Sequence, residues 1–185
     1  MSVRIIVDDD AIKAVERRLG EFSHKAPNAI SNALNRSVSN ISSNISKEVR
    51  KDYHIKTADV KETLNIFKAN RSKLSAEVKS RGGTIGLDKF KVGPKTVNPK
   101  RKSQLKIAVK KNGVKQILGA FIANLNGTKV FTRDTKKRLP ISRKFGPSVP
   151  QMLGNEATVE RINQQAHETY ENRLNHEINR ILTRI

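Results

Sequence analysis

Ile30, Leu34, Val38, Ile41, Ile45 and Val49 recur at steps of four, four, three, four and four residues, which predicts one apolar face of a long helix. Pro27 precedes them where the first turn of a helix tolerates a missing amide. The stripe runs out near Lys51. Ser39, Asn40, Ser42, Ser43, Asn44 and Ser46 fill the opposite face, and all are indifferent helix formers. Packing rather than propensity must therefore hold this helix. The stripe is expected to be the core face of the domain, with a share in a neighbouring subunit as the sharper alternative. Val159, Ile162, Ala166, Tyr170, Leu174, Ile178 and Ile181 predict a second long helix from about Glu156. Glu156 and Glu160 near its start, with Arg180 and Arg184 near its end, suit the helix dipole.

Shorter elements lie before and between these stripes. Val3, Ile5 and Val7 alternate as a short strand, and Asp8-Asp9-Asp10 caps a helix that stops at Gly20. Thr57 is placed to open a short helix through about Phe67. Leu74 to Val78 and Thr84 to Leu87 are strand-like, and the loop from Lys89 to Lys102, with Gly93, Pro94 and Pro99, is expected to be the most flexible segment. Leu105, Ile107 and Val109 alternate with Lys106, Ala108 and Lys110 as a half-buried strand with a basic outer face. Asn112-Gly113 and Asn126-Gly127 are hairpin turns, giving an antiparallel meander of four or five strands. The expected class is α+β in a single domain, residues 1–185. Within it, residues 1–70 are a helical N-terminal part, 71–153 a basic β-rich part, and 154–185 the C-terminal helix.

Charge is distributed as unevenly as structure. Of a net +20, residues 71–115 contribute 14 Lys and Arg against 2 Asp and Glu, and residues 116–144 contribute 7 against 1. The ends are nearly neutral. So concentrated a field favours a polyanion or a strongly acidic protein surface. No helix-turn-helix with a basic recognition helix is visible, and aromatics are not interleaved with the cations. What remains is non-specific contact through charge. The residues expected to make it are Lys100, Arg101, Lys102, Lys106, Lys110, Lys111, Lys136, Lys137 and Arg138.

Catalysis finds no support. The four histidines are scattered, no His-Glu-x-x-His occurs, and the absence of Cys removes thiolate sites, so neither metal nor cofactor is expected. Gly82-Gly83-Thr84-Ile85-Gly86 lacks the Gly-Lys-Ser/Thr of a phosphate loop and reads as a turn. Hydrophobic residues make up 36% and aromatics 4%, so the core is thin and neighbours in an assembly are expected to supply some burial. The apolar start ends at three aspartates, short of a signal peptide, and nothing approaches a membrane span. The protein is expected to be made, and to fold, in the cytoplasm.

Residues 119–154 concentrate the rigid features: Phe121, Phe131, Phe145, and three prolines at 140, 147 and 150. Phe145-Gly146-Pro147-Ser148-Val149-Pro150 is the candidate docking element, since a stiff segment loses little entropy on binding. An intramolecular turn under the C-terminal helix is the plainer reading. The runs Gly-Ala-Phe-Ile-Ala, Val-Phe-x-Arg, Leu-Pro-Ile and Phe-Gly-Pro-Ser-Val-Pro-Gln-Met follow in order here. Ahead of them stand Ala33-Leu34-Asn35-Arg36, Tyr53-x-Ile55-Lys56-x-x-Asp59-Val60 and Ile85-x-Leu87-x-x-Phe90. From about Ala26 to Leu153 this pattern resembles the minor tail protein Z family of tailed phages and prophages. The resemblance implies a non-enzymatic virion protein at the head-proximal end of the tail. It would act in tail completion and head–tail joining and hold or pass the DNA end. A ring-forming homo-oligomer would contact the tail terminator, tail tube or tape-measure protein, the head–tail connector and the DNA end, with no membrane partner. A free cytoplasmic protein binding nucleic acid by non-specific phosphate contacts is the alternative.

Overall fold

A computed structural model describes residues 2–154 and 156–183, so the sequence expectation for Arg184 lies outside the described residues. The chain divides into two compact units. The first, here the helical unit, comprises Met1–Ile45, Leu64–Arg81 and Gly154–Ile185. The second, the basic unit, comprises Ser46–Thr63 and Gly82–Leu153.

In the helical unit, β1 (Ser2–Ile6) leads into α1 (Asp9–Leu19). The Asp8 carboxylate accepts the Ala11 amide at 2.8 Å, the cap that the aspartate run predicts, and Gly20 ends the helix at a positive φ of 56°. A 3-10 segment connects to α2 (Ala26–Asp52), a 27-residue helix of which residues 26–45 belong to this unit. All six residues of the first apolar stripe are at most 2% exposed within a single chain. The stripe is thus covered within a single chain. The 27-residue α5 (Glu156–Leu182) buries Ile162, Ala166, Tyr170, Leu174 and Ile178 at a matching spacing.

The polar face of α2 is not idle. Asn44 donates to Gln165 at 3.1 Å, Asn40 to the Thr169 hydroxyl at 2.8 Å, and Asn32 to Glu177 at 3.4 Å. Every step of one or two turns back along α2 is matched by an equal step forward along α5. The two helices therefore run antiparallel, joined by amide rungs, with Arg36 and Arg173 sharing a cavity at the intervening turn. A three-stranded antiparallel sheet completes the unit, in the order β1, β3 (Ser75–Ser80), β2 (Leu64–Phe67). The expected helix from Thr57 to about Phe67 is cut short. Only α3 (Thr57–Lys61) is helical, with Lys56 at its cap position, because Leu64–Phe67 pairs instead with Ser80–Glu77.

The basic unit is built from small antiparallel sheets. β4 (Ile85–Gly86) pairs with β11 (Phe145–Gly146). β5 (Lys91–Gly93), β6 (Leu105–Ala108) and β7 (Lys115–Ile117) form one meander. β8 (Phe121–Asn124), β9 (Thr128–Arg133) and β10 (Ile141–Arg143) form another. The expected meander is therefore realised as two three-stranded ones, separated at Gly119, whose φ of 69° turns the chain out of strand geometry. Asn126 and Gly127 both take positive φ, as a tight hairpin requires. β5 gives the expected loop from Lys89 to Lys102 an ordered start. The helix α4 (Val149–Leu153) carries Pro150 in its first turn.

Candidate functional site

The basic unit presents two concave surfaces. One is an apolar cavity of about 690 Å³, bordered by Tyr53, Ile107, Ile117, Leu118, Phe145 and Pro147. Leu118 is 80% exposed and Phe145 50%, unusual positions for large apolar side chains. β7 is an edge strand of its sheet, so its outer backbone groups have no strand partner. Lys110 and Lys115 stand at the cavity, and among the described residues no carboxylate lines it.

The rim is stiff for identifiable reasons. β11 is pinned to β4, and the Leu87 amide donates to the Lys144 carbonyl at 3.0 Å. A β-carbon at Gly146 would come within 2.7 Å of the buried Phe90 ring, so glycine permits this approach. The Arg143 guanidinium lies 5.1 Å from the centroid of the Phe145 ring and donates to both Asp88 carboxylate oxygens at 2.9 and 3.2 Å. The Ser148 amide and hydroxyl donate to the Gln151 side chain at 2.9 and 3.1 Å, and Val149 is buried. Of the proposed docking run, Phe145, Gly146 and Pro147 line the cavity. Ser148, Val149 and Pro150 are turned to opening α4.

The second concavity, about 360 Å³, is a basic cleft. Arg50, His54 and Lys56 reach it from the end of α2 and the following segment, Lys89, Lys91 and Lys95 from around β5, and Lys111 from the β6–β7 turn. Backbone pairing gathers these distant segments. The His54 amide donates to the Val109 carbonyl at 2.9 Å, and the Lys111 amide to the Asp52 carbonyl at 2.7 Å. Lys89 bonds the Asp59 carboxylate at 2.6 Å, with Glu62 at 3.9 Å. The hydrogen bond to Asp59 holds the Lys89 ammonium above its ordinary pKa, against the opposing pull of burial.

The cations singled out from sequence lie on several segments of the basic unit. Lys100, Arg101 and Lys102 sit on the loop before β6, where Arg101 is tied to the Thr96 carbonyl at 2.7 Å. Lys106 is exposed on β6, and Lys110 lies over the Tyr53 ring at 5.8 Å. Lys136, Lys137 and Arg138 occupy the β9–β10 loop. Of the nine, Lys111 alone lines the basic cleft. Arg50, His54, Lys56, Lys91 and Lys95 were not anticipated. Only the proximity of Arg50, His54 and Lys56 in sequence hinted at them.

Among the described residues no group of three or more His, Asp and Glu could hold a metal ion. Nor is any described helix long and apolar enough to cross a membrane. No curated protein and no solved structure matches the chain. The sequence profile of the prophage minor tail protein Z family, however, matches residues 9–185, from the start of α1 through α5. The match takes in every block of the resemblance and extends it at both ends. The chain accordingly belongs to the prophage minor tail protein Z family, structural proteins of the phage tail.

Proposed function

We propose that the protein is a non-enzymatic virion component at the head-proximal end of the tail, where several copies in a ring help to join tail to head. The ring contacts the neighbouring tail or connector protein through the apolar cavity and the DNA end through its basic face. One observation carries this reading: a stiff, exposed apolar cavity in a unit of a tail structural protein, with Leu118 and Phe145 open to solvent. Surfaces of this kind are costly to leave in water and mark sites of association. The lysine rim, unopposed by any lining carboxylate, selects the occupant. It is an apolar side chain flanked by Asp or Glu on the adjoining protein.

Electron microscopy of lysates from phage lacking this protein tests the reading. Filled heads separate from normal-length tails are the expected image, and Leu118→Asp is expected to reproduce it with a folded protein. Joined but non-infectious particles would keep the tail role and move it to holding or delivering the DNA end. Ordinary infectious virions would remove the tail role in favour of a free nucleic-acid-binding protein.

A further inference from the structure

The basic cleft has a composition that its own chain does not satisfy. Among the described residues, Arg50, Lys56, Lys91, Lys95 and Lys111 form no ion pair, whereas Lys89 beside them is matched by Asp59. Like charges gathered at one concavity repel, and an uncompensated cluster is retained only at a cost to the folded state. The convergence is also built by the backbone. Two amide–carbonyl bonds from the segment after α2 and the pairing of β5 with β6 hold these positions together whatever their side chains do. A solvated run of lysines along one strand would need none of this.

We infer that this cleft is a phosphodiester site that takes the sugar–phosphate backbone of a nucleic acid without reading its bases. Three features identify the ligand class. Four of the five cations without an ion pair are lysines, flexible point charges whose donors can follow successive phosphate oxygens without fixing a planar partner. Tyr53 and Phe90 in the cleft are buried at 8% and 1% exposure and offer no face on which a base could stack, which leaves the half-buried His54 imidazole as the ring within reach of a ligand. Finally, two carboxylates beside the site, Asp59 and Glu62, are drawn to Lys89 and form no ion pair with Lys56, Lys91, Lys95 or Lys111. This inference rests on the reading that the basic unit meets DNA, and it names where.

The test measures fluorescence anisotropy of the full-length protein with a short labelled DNA duplex over a range of salt concentrations. The triple variant Lys56→Gln/Lys91→Gln/Lys95→Gln is compared with the charge-matched Lys136→Gln/Lys137→Gln/Arg138→Gln. The cleft triple is expected to weaken binding about tenfold or more and to lower the salt slope by about 2 to 3, since each phosphate contact contributes about 0.9. The loop triple is expected to change both much less. Equal losses in the two triples would overturn the site while leaving DNA contact intact. A wild-type protein that fails to bind duplex even at low salt would overturn DNA contact and the site together. Displacement of the duplex by poly-glutamate at equal charge concentration would give the cleft to an acidic protein instead. Lys56→Arg/Lys91→Arg/Lys95→Arg is expected to bind like wild type; loss of binding there would show that the glutamine effect is structural.

Discussion

The helical unit holds 15 Lys and Arg against 11 Asp and Glu, whereas the basic unit holds 22 against 6. In the first, polar groups serve the packing of helices: Asp8 caps α1, Arg18 donates to Asn175 at 2.8 Å, and the α2–α5 amide rungs align two stripes. In the second, three of the six carboxylates pin loops. Asp59 takes Lys89, Asp88 takes Arg143, and Asp134 takes the Ser142 hydroxyl at 2.6 Å. Among the described residues Lys51 pairs with Glu48 at 2.8 Å and Arg133 donates to the Arg138 carbonyl at 3.2 Å, whereas Lys56, Lys91, Lys95 and Lys111 form no ion pair. Both units bury apolar side chains, Phe90, Leu105 and Ile107 among them in the second, and the second adds a few tethers that leave much of its charge uncompensated.

Three substitutions would break or sharpen that contrast. Leu34→Ala, at a position with no exposure, is expected to cost about 2–5 kcal/mol in chemical denaturation. A cost below about 1 kcal/mol would mean that the stripe is not the main source of stability in the helical unit. Next come paired carboxylate removals of identical charge change. Asp88→Asn leaves a part-buried guanidinium whose Nε already lacks a protein partner, and is expected to cost about 1–3 kcal/mol. Glu177→Gln, which breaks the i,i+3 pair with exposed Arg180 while keeping an amide oxygen to accept from Asn32, is expected to cost about 0.5 kcal/mol or less. Similar values for the two would erase the distinction between tether and surface pair.

A fourth substitution runs the other way. Tyr170 is buried and its hydroxyl finds no protein partner, so Tyr170→Phe is expected to stabilise by about 1 kcal/mol. Burial, with smaller contributions from Glu171 and Asp8, pushes the phenol from 10.0 up to about 12. The folded state therefore keeps a proton that the unfolded chain releases first. Wild-type stability from this group is intact below pH 10 and declines as pH rises towards about 12. Thermal melts across that window should show a shallower alkaline decline in the phenylalanine variant.

How far the sequence revealed this arrangement depended on the range of the interaction. The two stripes, the Asp8 cap and the Asn126-Gly127 hairpin are local patterns and appear where periodicity and turn chemistry place them. Leu64–Phe67 misled because its partner lies on β3, beyond a turn, and pairing overrides the helix preference of the preceding residues. The basic cleft was illegible for a similar reason. Its cations come from three segments joined by the Val109 and Asp52 carbonyl bonds, while runs such as Lys100-Arg101-Lys102 draw attention in sequence without converging there. The rigidity of Phe145-Gly146-Pro147 was visible from residue types alone. Its facing cavity required Leu118 and Ile107 to be brought opposite.

The amide rungs between α2 and α5 impose an order in time as well as in space. Asn32, Asn40 and Asn44 leave the ribosome more than a hundred residues ahead of their partners Glu177, Thr169 and Gln165. Until that later stretch is synthesised, α2 has weak intrinsic propensity, an apolar stripe and no α5 to lie against. Every residue of the basic unit, by contrast, has been made before α5 begins. During translation, then, the half of the molecule with the thinner apolar content has all its parts in hand first, and the helical half must wait with its stripe unsheltered.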